Sequence, residues 1–187
     1  MKATAIIMAG GKSKRMGRDK SMLLINGEPV IKHIYEQLLP HFDQVLVSSD
    51  NVSKYTFLGA RVVPDEVTGK GPLIGIASAI RVSANDANFV IACDIPQIDI
   101  SFVQQMVKKS KGFDAVMPKT GPSKYEPLFA VYKKSTLAAI DRSIAAGNYK
   151  IIDPISDCKV NYIDMSSTGQ IENLNTMKDY QKFVGKK

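Results

Sequence analysis

Short apolar runs recur along the chain at 4–9, 44–48, 61–64, 88–93, 114–118, 127–132 and 159–164. Each has the length of a strand and is bounded by polar or turn-forming residues. Between many of them the apolar positions change to a helical period. From Pro29 to about Leu39, Val30, Ile31, Ile34, Tyr35 and Leu38 mark one face, and Pro29 suits a first helical turn. A second helix starts at Gly71-Pro72 and carries Leu73, Ile76, Ala77 and Ile80. A third is expected from Ser101, where Ser101 and Gln104 have capping-box spacing ahead of Met106 and Val107. Another covers roughly 134–146. The last follows Thr176, with Thr176-x-x-Asp179 a second cap signature. Strands alternating with helices predict βαβ units, and therefore an α/β fold with a mostly parallel sheet covered on both faces. Such sheets bind ligands outside the carboxyl ends of their strands.

At 187 residues the chain predicts a single domain, 1–187, without an evident linker or repeat. An apolar fraction of 44% with 23% charged residues is ordinary for a globular protein. No apolar stretch approaches the ~20 residues of a membrane span, and Gly10-Gly11 cuts the first run too short for a signal peptide. Cys93 and Cys158 lack metal-ligand spacing and read as reduced thiols of a cytoplasmic protein. The net charge of +7 raises the question of nucleic acid. Its densest cluster sits beside a glycine loop, however, and aromatic-rich basic strands are missing, which favours an acidic small molecule.

That cluster holds the first chemical signal. The run Thr4-Ala5-Ile6-Ile7-Met8-Ala9 ends in Gly10-Gly11, followed by Lys12, Lys14, Arg15, Arg18 and Lys20. Backbone N–H groups in such a loop can approach an anion while the cations neutralise it. An ordinary turn followed by solvated charges is the plainer alternative. Five residues separate Gly11 from Gly17 and Arg18 follows, so this is no Walker loop; adjacent Gly10 and Gly11 exclude a dinucleotide fingerprint. Asp94 ends the strand Phe89-Val90-Ile91-Ala92-Cys93, where a carboxylate could hold a Mg²⁺ that bridges phosphates or could stabilise its own turn before Pro96. Asp65 follows Val62-Val63-Pro64 in the same way, either against a nucleoside or, with Glu66, as a solvated pair. Asp50 reads as a turn cap. Gly75 costs about 1 kcal/mol relative to Ala inside its helix, which close approach of a ligand or of a neighbouring backbone, or helix–sheet packing, would justify. His33 and His41 have no acid or nucleophile at useful spacing.

Taken together the motifs resemble the molybdenum cofactor guanylyltransferases, the MobA-like branch of the nucleotidyltransferases. Met8-Ala9-Gly10-Gly11, Ser13, Arg15-Met16-Gly17 and Asp19-Lys20 are similar to the signature of that branch. Asn26-Gly27-Glu28-Pro29, Gly71 to Ile76, Cys93-Asp94-Ile95-Pro96, Glu126 to Tyr132 and Asn173-Leu174-Asn175-Thr176 match further elements in order, over nearly the whole chain. Ala-Gly-Gly and Asp-Lys resemble the guanylyl rather than the cytidylyl branch. Met8 stands where Leu is usual, Met177 where Pro is common, and Ser48-Ser49-Asp50 where Asn or Ser-Asn is frequent.

The resemblance implies a three-layer α/β/α sandwich of the nucleotide-diphospho-sugar-transferase-like type, with a Rossmann-like nucleotide-binding half. It implies transfer of GMP from GTP to molybdenum-bound molybdopterin, with Mg²⁺ as cofactor. Other molybdenum-cofactor assembly proteins and acceptor molybdoenzymes would be partners, and neither nucleic acid nor membrane is expected. Met8, Ala9, Gly10, Gly11, Lys20, Asp65, Gly71 and Asp94 would bind GTP. Arg15, Lys20 and Asp94 would be catalytic, with Asp94 on the metal. Glu126, Pro127, Leu128, Asn173 and Asn175 would lie on the molybdopterin side. The rival functions are nucleotidyl transfer with another substrate, such as cytidylyl transfer to the same cofactor or nucleotidyl transfer to a sugar phosphate, and nucleotide binding without catalysis as a carrier or regulatory partner.

Overall fold

The computed structural model describes residues 1–10, 19–165 and 171–185. Strand β1 (Thr4–Met8) is buried along its whole length, as an unbroken apolar run between two helical layers must be. A small hairpin follows, β2 (Leu24–Ile25) and β3 (Glu28–Pro29), then α1 (Val30–Leu38), β4 (Gln44–Ser48) and a 3₁₀ segment, Ser53–Leu58. Next come β5 (Arg61–Val63), α2 (Pro72–Val82), β6 (Ala87–Ala92) and α3 (Ile100–Lys109). The second half adds β7 (Ala115–Gly121), β8 (Lys124–Tyr125), β9 (Phe129–Lys133), α4 (Leu137–Ala145), α5 (Ile152–Ser156), β10 (Val160–Asp164) and α6 (Met177–Val184).

The main sheet runs β10-β7-β9-β6-β1-β4-β5, with β8 paired to β7. Strand β1 lies parallel to both β4 and β6, and Met8 is in register with Ser48 on one side and Ala92 on the other. Strand β9 is antiparallel to β6 and β7, while β7 and β10 are parallel to each other. The chain moves outward from β1 through β4 to β5, then returns to the opposite side of β1 as β6. This reversal opens a crevice at the carboxyl ends of β1, β4 and β6.

Alternation along β1 sorts the helices into two layers. Ala5 and Ile7 share a core with Ile31, Ile34 and Leu38 of α1, Phe102 and Met106 of α3, and Phe183 of α6. Ile6 and Met8 face Leu73, Ile76 and Ile80 of α2, Ile140 of α4 and Ile155 of α5. The architecture is the expected α/β/α sandwich.

Two helix starts compare differently with expectation. Helix α3 is capped by Asp99 rather than Ser101: its carboxylate accepts from the Phe102 amide at 3.0 Å, and the Ser101 hydroxyl donates to it. An ionised carboxylate two residues upstream outcompetes a hydroxyl for the positive helix end. Helix α6 has both halves of its capping box, Thr176 with the Asp179 amide and Asp179 with the Thr176 amide, despite Met177 standing where proline would help. Thr176→Ala should lower stability by about 1 kcal/mol, read as a shift of the urea midpoint at unchanged slope. No shift would mean that the cap adds nothing to what holds α6 on the core, the packing of Met177, Tyr180 and Phe183.

Candidate active site

The turn at Asp19-Lys20-Ser21 aims a cation into the crevice. Asp19 caps the 3₁₀ turn Lys20–Met22 by accepting from the Ser21 amide at 3.0 Å and the Ser21 hydroxyl at 2.6 Å. Burial alone would raise the Asp19 carboxyl, but the paired Lys54 ammonium and the Ser21 contacts outweigh it and hold the group below its ordinary value. Asp19 thus remains the charged anchor of the turn. From there the Lys20 ammonium donates to Asp94 Oδ2 at 2.9 Å and to Asn175 Oδ1 at 3.3 Å. These three residues, expected to serve phosphate, metal and pterin, converge on one point.

Asp94 is fixed from two directions. The Cys93 amide donates to the Met8 carbonyl at 3.2 Å, extending the β1–β6 pairing by one residue, and the Leu174 amide donates to the Asp94 carbonyl at 2.8 Å. The second bond brings Asn173 and Asn175 to the end of β6. A cavity of about 230 Å³ opens there, lined by Asp94, Glu126, Pro127, Leu128, Asn173 and Asn175 among others. All five residues expected on the molybdopterin side therefore meet Asp94 in one pocket. Burial raises the Glu126 carboxyl, the Thr120 hydroxyl opposes this, and the Asp94 charge adds to it. Cys93 is a free thiol pushed up to about 12 by burial, with the Asp94 charge adding to the effect, and is chemically quiet.

The other side of β1 gathers Met8, Ser48, Asp65 and Gly75. A Cβ on Gly75 would stand 2.5 Å from Ser48 Oγ, 2.8 Å from Asp65 Oδ1 and 2.9 Å from Met8 Cε. The glycine inside α2 is thus explained by close packing of the helix on these side chains, which resolves the alternatives left open by its sequence. Asp50 accepts from the Asp65 amide at 3.1 Å, so it links the ends of β4 and β5 across 15 positions rather than capping its own turn as expected. Gly71, at the start of α2, has φ +99°, a conformation that L side chains rarely adopt. Burial raises the Asp65 carboxyl to about 6, Asp50 adds to the shift, and the Ser48 hydroxyl opposes it.

A raised carboxyl pKa contributes stability that is full below the unfolded value and is lost as pH rises through about 6. Asp65→Asn removes that loss. The melting temperature of the variant minus that of the parent should therefore be more positive at pH 8 than at pH 5, while nucleotide affinity falls. A difference independent of pH would remove the assigned burial of Asp65.

Tyr55 was not visible as a site residue in the sequence. It is fully buried, its hydroxyl donates to the Ala9 carbonyl at 3.2 Å, and it shares a 2.9 Å hydrogen bond with the Ser21 hydroxyl. It ties the strand end that carries Ala9 and Gly10 to the turn that carries Lys20. Nothing in its spacing from Gly10 or Lys20 signals this. Gly11 and Arg15, with Lys12, Lys14 and Arg18, lie outside the described residues. His33 and His41 take no part in these contacts.

A divalent cation fits the donor set. Among the described residues no three His, Cys, Asp or Glu side chains form a metal cluster, so a closed protein cage is not formed there. Mg²⁺ commonly takes one or two carboxylates and completes its shell with substrate phosphates and water, a demand that the Asp94 carboxylate on the cavity wall, with Oδ2 paired to Lys20, meets.

A carboxylate, an ammonium and a tightly packed strand end at the switch point of an α/β sheet suit an enzyme that works on nucleotide phosphates. The chain belongs to the MobA-like NTP transferase domain family, whose model matches residues 5–158, and it is a nucleotidyltransferase of molybdenum cofactor biosynthesis. It is 36% identical over 189 residues to a "probable molybdenum cofactor guanylyltransferase" of Pelotomaculum thermopropionicum, covering 97% of this chain and 92% of the relative. A molybdenum cofactor guanylyltransferase of Syntrophotalea carbinolica is 31% identical, covering 96% and 90%. In fold, the chain is similar to molybdopterin-guanine dinucleotide biosynthesis protein A of Archaeoglobus fulgidus, with a TM-score of 0.83 at 24% identity and 97% of each chain covered.

Proposed function

We propose that this chain, as one nucleotidyltransferase domain over 1–187, transfers GMP from GTP to molybdenum-bound molybdopterin and releases pyrophosphate. The observation that carries the proposal is the meeting of Lys20 with Asp94 and Asn175, which line one cavity with Glu126, Pro127, Leu128 and Asn173. A phosphate-binding cation, a metal-binding carboxylate and an acceptor pocket are what such a transfer needs in one place. The names of the relatives support guanylyl transfer in particular.

In this reading Met8, Ala9, Gly10, Gly11, Asp65 and Gly71 hold the nucleoside and its phosphates. Pro127, Leu128, Asn173 and Asn175 face molybdopterin. A phosphate oxygen of molybdopterin forms a bond to the α-phosphorus, and the bond from that phosphorus to the bridging oxygen breaks, its electron pair leaving on pyrophosphate. The nucleophile is already an anion at neutral pH, so the protein need not supply a base. Lys20 and Arg15 offset charge on the leaving pyrophosphate, and the fixed turns position the reactants. Asp94 holds Mg²⁺, which when bound neutralises phosphate charge as a Lewis acid. The reaction would take place in the cytoplasm, where acceptor molybdoenzymes and cofactor-assembly proteins would meet the product. No described helix is long and apolar enough to cross a membrane.

The test is pyrophosphate release with Mg²⁺ and anaerobically supplied molybdenum cofactor, with GTP, CTP, ATP and UTP in parallel. Release with GTP alone and dependent on the cofactor is expected. Release with CTP would move the chain to cytidylyl transfer. GTP binding without release would make it a carrier.

A further inference from the structure

The 3₁₀ segment Ser53–Leu58 follows β4 and reaches the turn that carries Lys20 with two neighbouring side chains. Lys54 pairs with Asp19, and its ammonium donates to Ser21 Oγ at 3.3 Å. The Tyr55 hydroxyl stands 2.9 Å from the same oxygen and 3.2 Å from the Ala9 carbonyl. Counting protons gives these contacts a direction. The Ser21 hydroxyl gives its single proton to Asp19 Oδ1 at 2.6 Å, so at the contact with Tyr55 the tyrosine is the donor. Its one proton is shared between Ser21 Oγ and the Ala9 carbonyl. We propose that Tyr55 is a positioning residue for nucleotidyl transfer: through Ser21 it holds the Lys20 turn at a fixed distance from the end of β1, and so sets the ammonium for the phosphates that leave as pyrophosphate. The inference rests on the reading of Lys20 as a phosphate-binding cation.

The two ends of this relay are unequal. Ala9 is held without Tyr55, by its amide on the Ser48 carbonyl at 2.9 Å, and Met8 before it accepts from the Cys93 amide at 3.2 Å. The strand end is thus part of the sheet. The Lys20 turn is a single 3₁₀ turn, with the Met22 amide 3.2 Å from the Asp19 carbonyl and the Leu23 amide 3.3 Å from the Lys20 carbonyl. Those are long hydrogen bonds, and so short a helix has little stability of its own. A buried tyrosine transmits the rigidity of the sheet to it. Ser21 and Tyr55 are both buried, where a hydroxyl relies on protein partners. Removing the Tyr55 hydroxyl leaves the ring packed and the strand in place, and lets the turn shift. A displacement of about 1 Å in a positioned group can cost about 10²-fold in rate.

The measurement is the affinity of the full chain for GTP and for GMP, by titration calorimetry with Mg²⁺. Tyr55→Phe should bind GTP at least about tenfold more weakly and GMP as tightly as the parent, because GMP lacks the phosphates that Lys20 meets. Tyr132 supplies the control. It is equally buried, and its hydroxyl donates to the Pro127 carbonyl at 2.7 Å. Tyr132→Phe should lower the melting temperature as Tyr55→Phe does, yet keep the parent's ratio of GTP to GMP affinity. Because Tyr55 acts through Ser21, the double variant Tyr55→Phe, Ser21→Ala should bind GTP no more weakly than Ser21→Ala. In the nucleotide-free chain, the Ser21, Met22 and Leu23 amides should exchange with solvent faster in Tyr55→Phe than in Tyr132→Phe. An unchanged affinity ratio in Tyr55→Phe overturns the inference, and so does an additive double variant. Should Tyr55→Phe fail to fold, Ser21→Ala decides: an unchanged ratio there overturns it. A parent that binds GTP no more tightly than GMP overturns the phosphate reading of Lys20 and that half of the inference with it, while the exchange rates still decide whether Tyr55 holds the turn. Preference for CTP overturns guanylyl transfer alone, and the same comparison with CTP and CMP then decides the role of Tyr55.

Discussion

Asp94→Asn is expected to lower turnover by about 10²–10³-fold while costing only about 1 kcal/mol of stability. The asymmetry follows from how the residue is held. Its backbone carbonyl accepts from the Leu174 amide at 2.8 Å, a bond that asparagine keeps, and an amide oxygen can still accept from Lys20. What disappears is the negative charge that a metal and the Lys20 ammonium both need. A 10²-fold loss in rate corresponds to about 2.7 kcal/mol at the transition state, well above the folding effect. Steady-state pyrophosphate release beside urea denaturation reads both quantities. Equal losses would make Asp94 a structural ion-pair partner and sink its metal role.

Gly75→Ala is expected to reduce GTP affinity at least about tenfold while changing stability by no more than about 2 kcal/mol. Alanine recovers about 1 kcal/mol of helix propensity, and crowding a packed site costs about 1–3 kcal/mol, so the two folding terms largely offset each other. The site has no such compensation. The added methyl would stand 2.8 Å from Asp65 Oδ1 and 2.9 Å from Met8 Cε, and both side chains would have to leave their places. Titration with a fluorescent GTP analogue measures the effect. Unchanged affinity would show that Asp65 and Met8 do not hold the nucleoside.

Much of the fold was legible because apolar period and length are local properties. The runs at 4–9, 44–48 and 61–64 became β1, β4 and β5 within a residue of their expected ends, and the face of α1 is the one its period marks. The start of α3 was misplaced because Asp99, Ser101 and Gln104 offer competing caps, and a charged carboxylate won. Direction is not local. The apolar run at 127–132 reads the same in a parallel or an antiparallel strand, and only the neighbours β6 and β7 show that β9 is reversed. The hairpin of β2 and β3 and the short strand β8 are too brief to leave a period at all.

The candidate site divides in the same way. Composition and order by themselves determined the alternating α/β plan, the glycine-ended first strand, and the carboxylates Asp65 and Asp94 at strand ends, because each depends on residues adjacent in the chain. Tertiary structure alone decided that Lys20 meets Asp94, 74 positions away, and Asn175, 155 positions away. It alone decided that buried Tyr55 braces the Ala9 carbonyl, and that Gly75 is small because Ser48, Asp65 and Met8 occupy the space beside it. Those contacts arise where parallel strands from distant segments end side by side, and strand order across a sheet is set by packing of the whole core, which no local run of residues encodes.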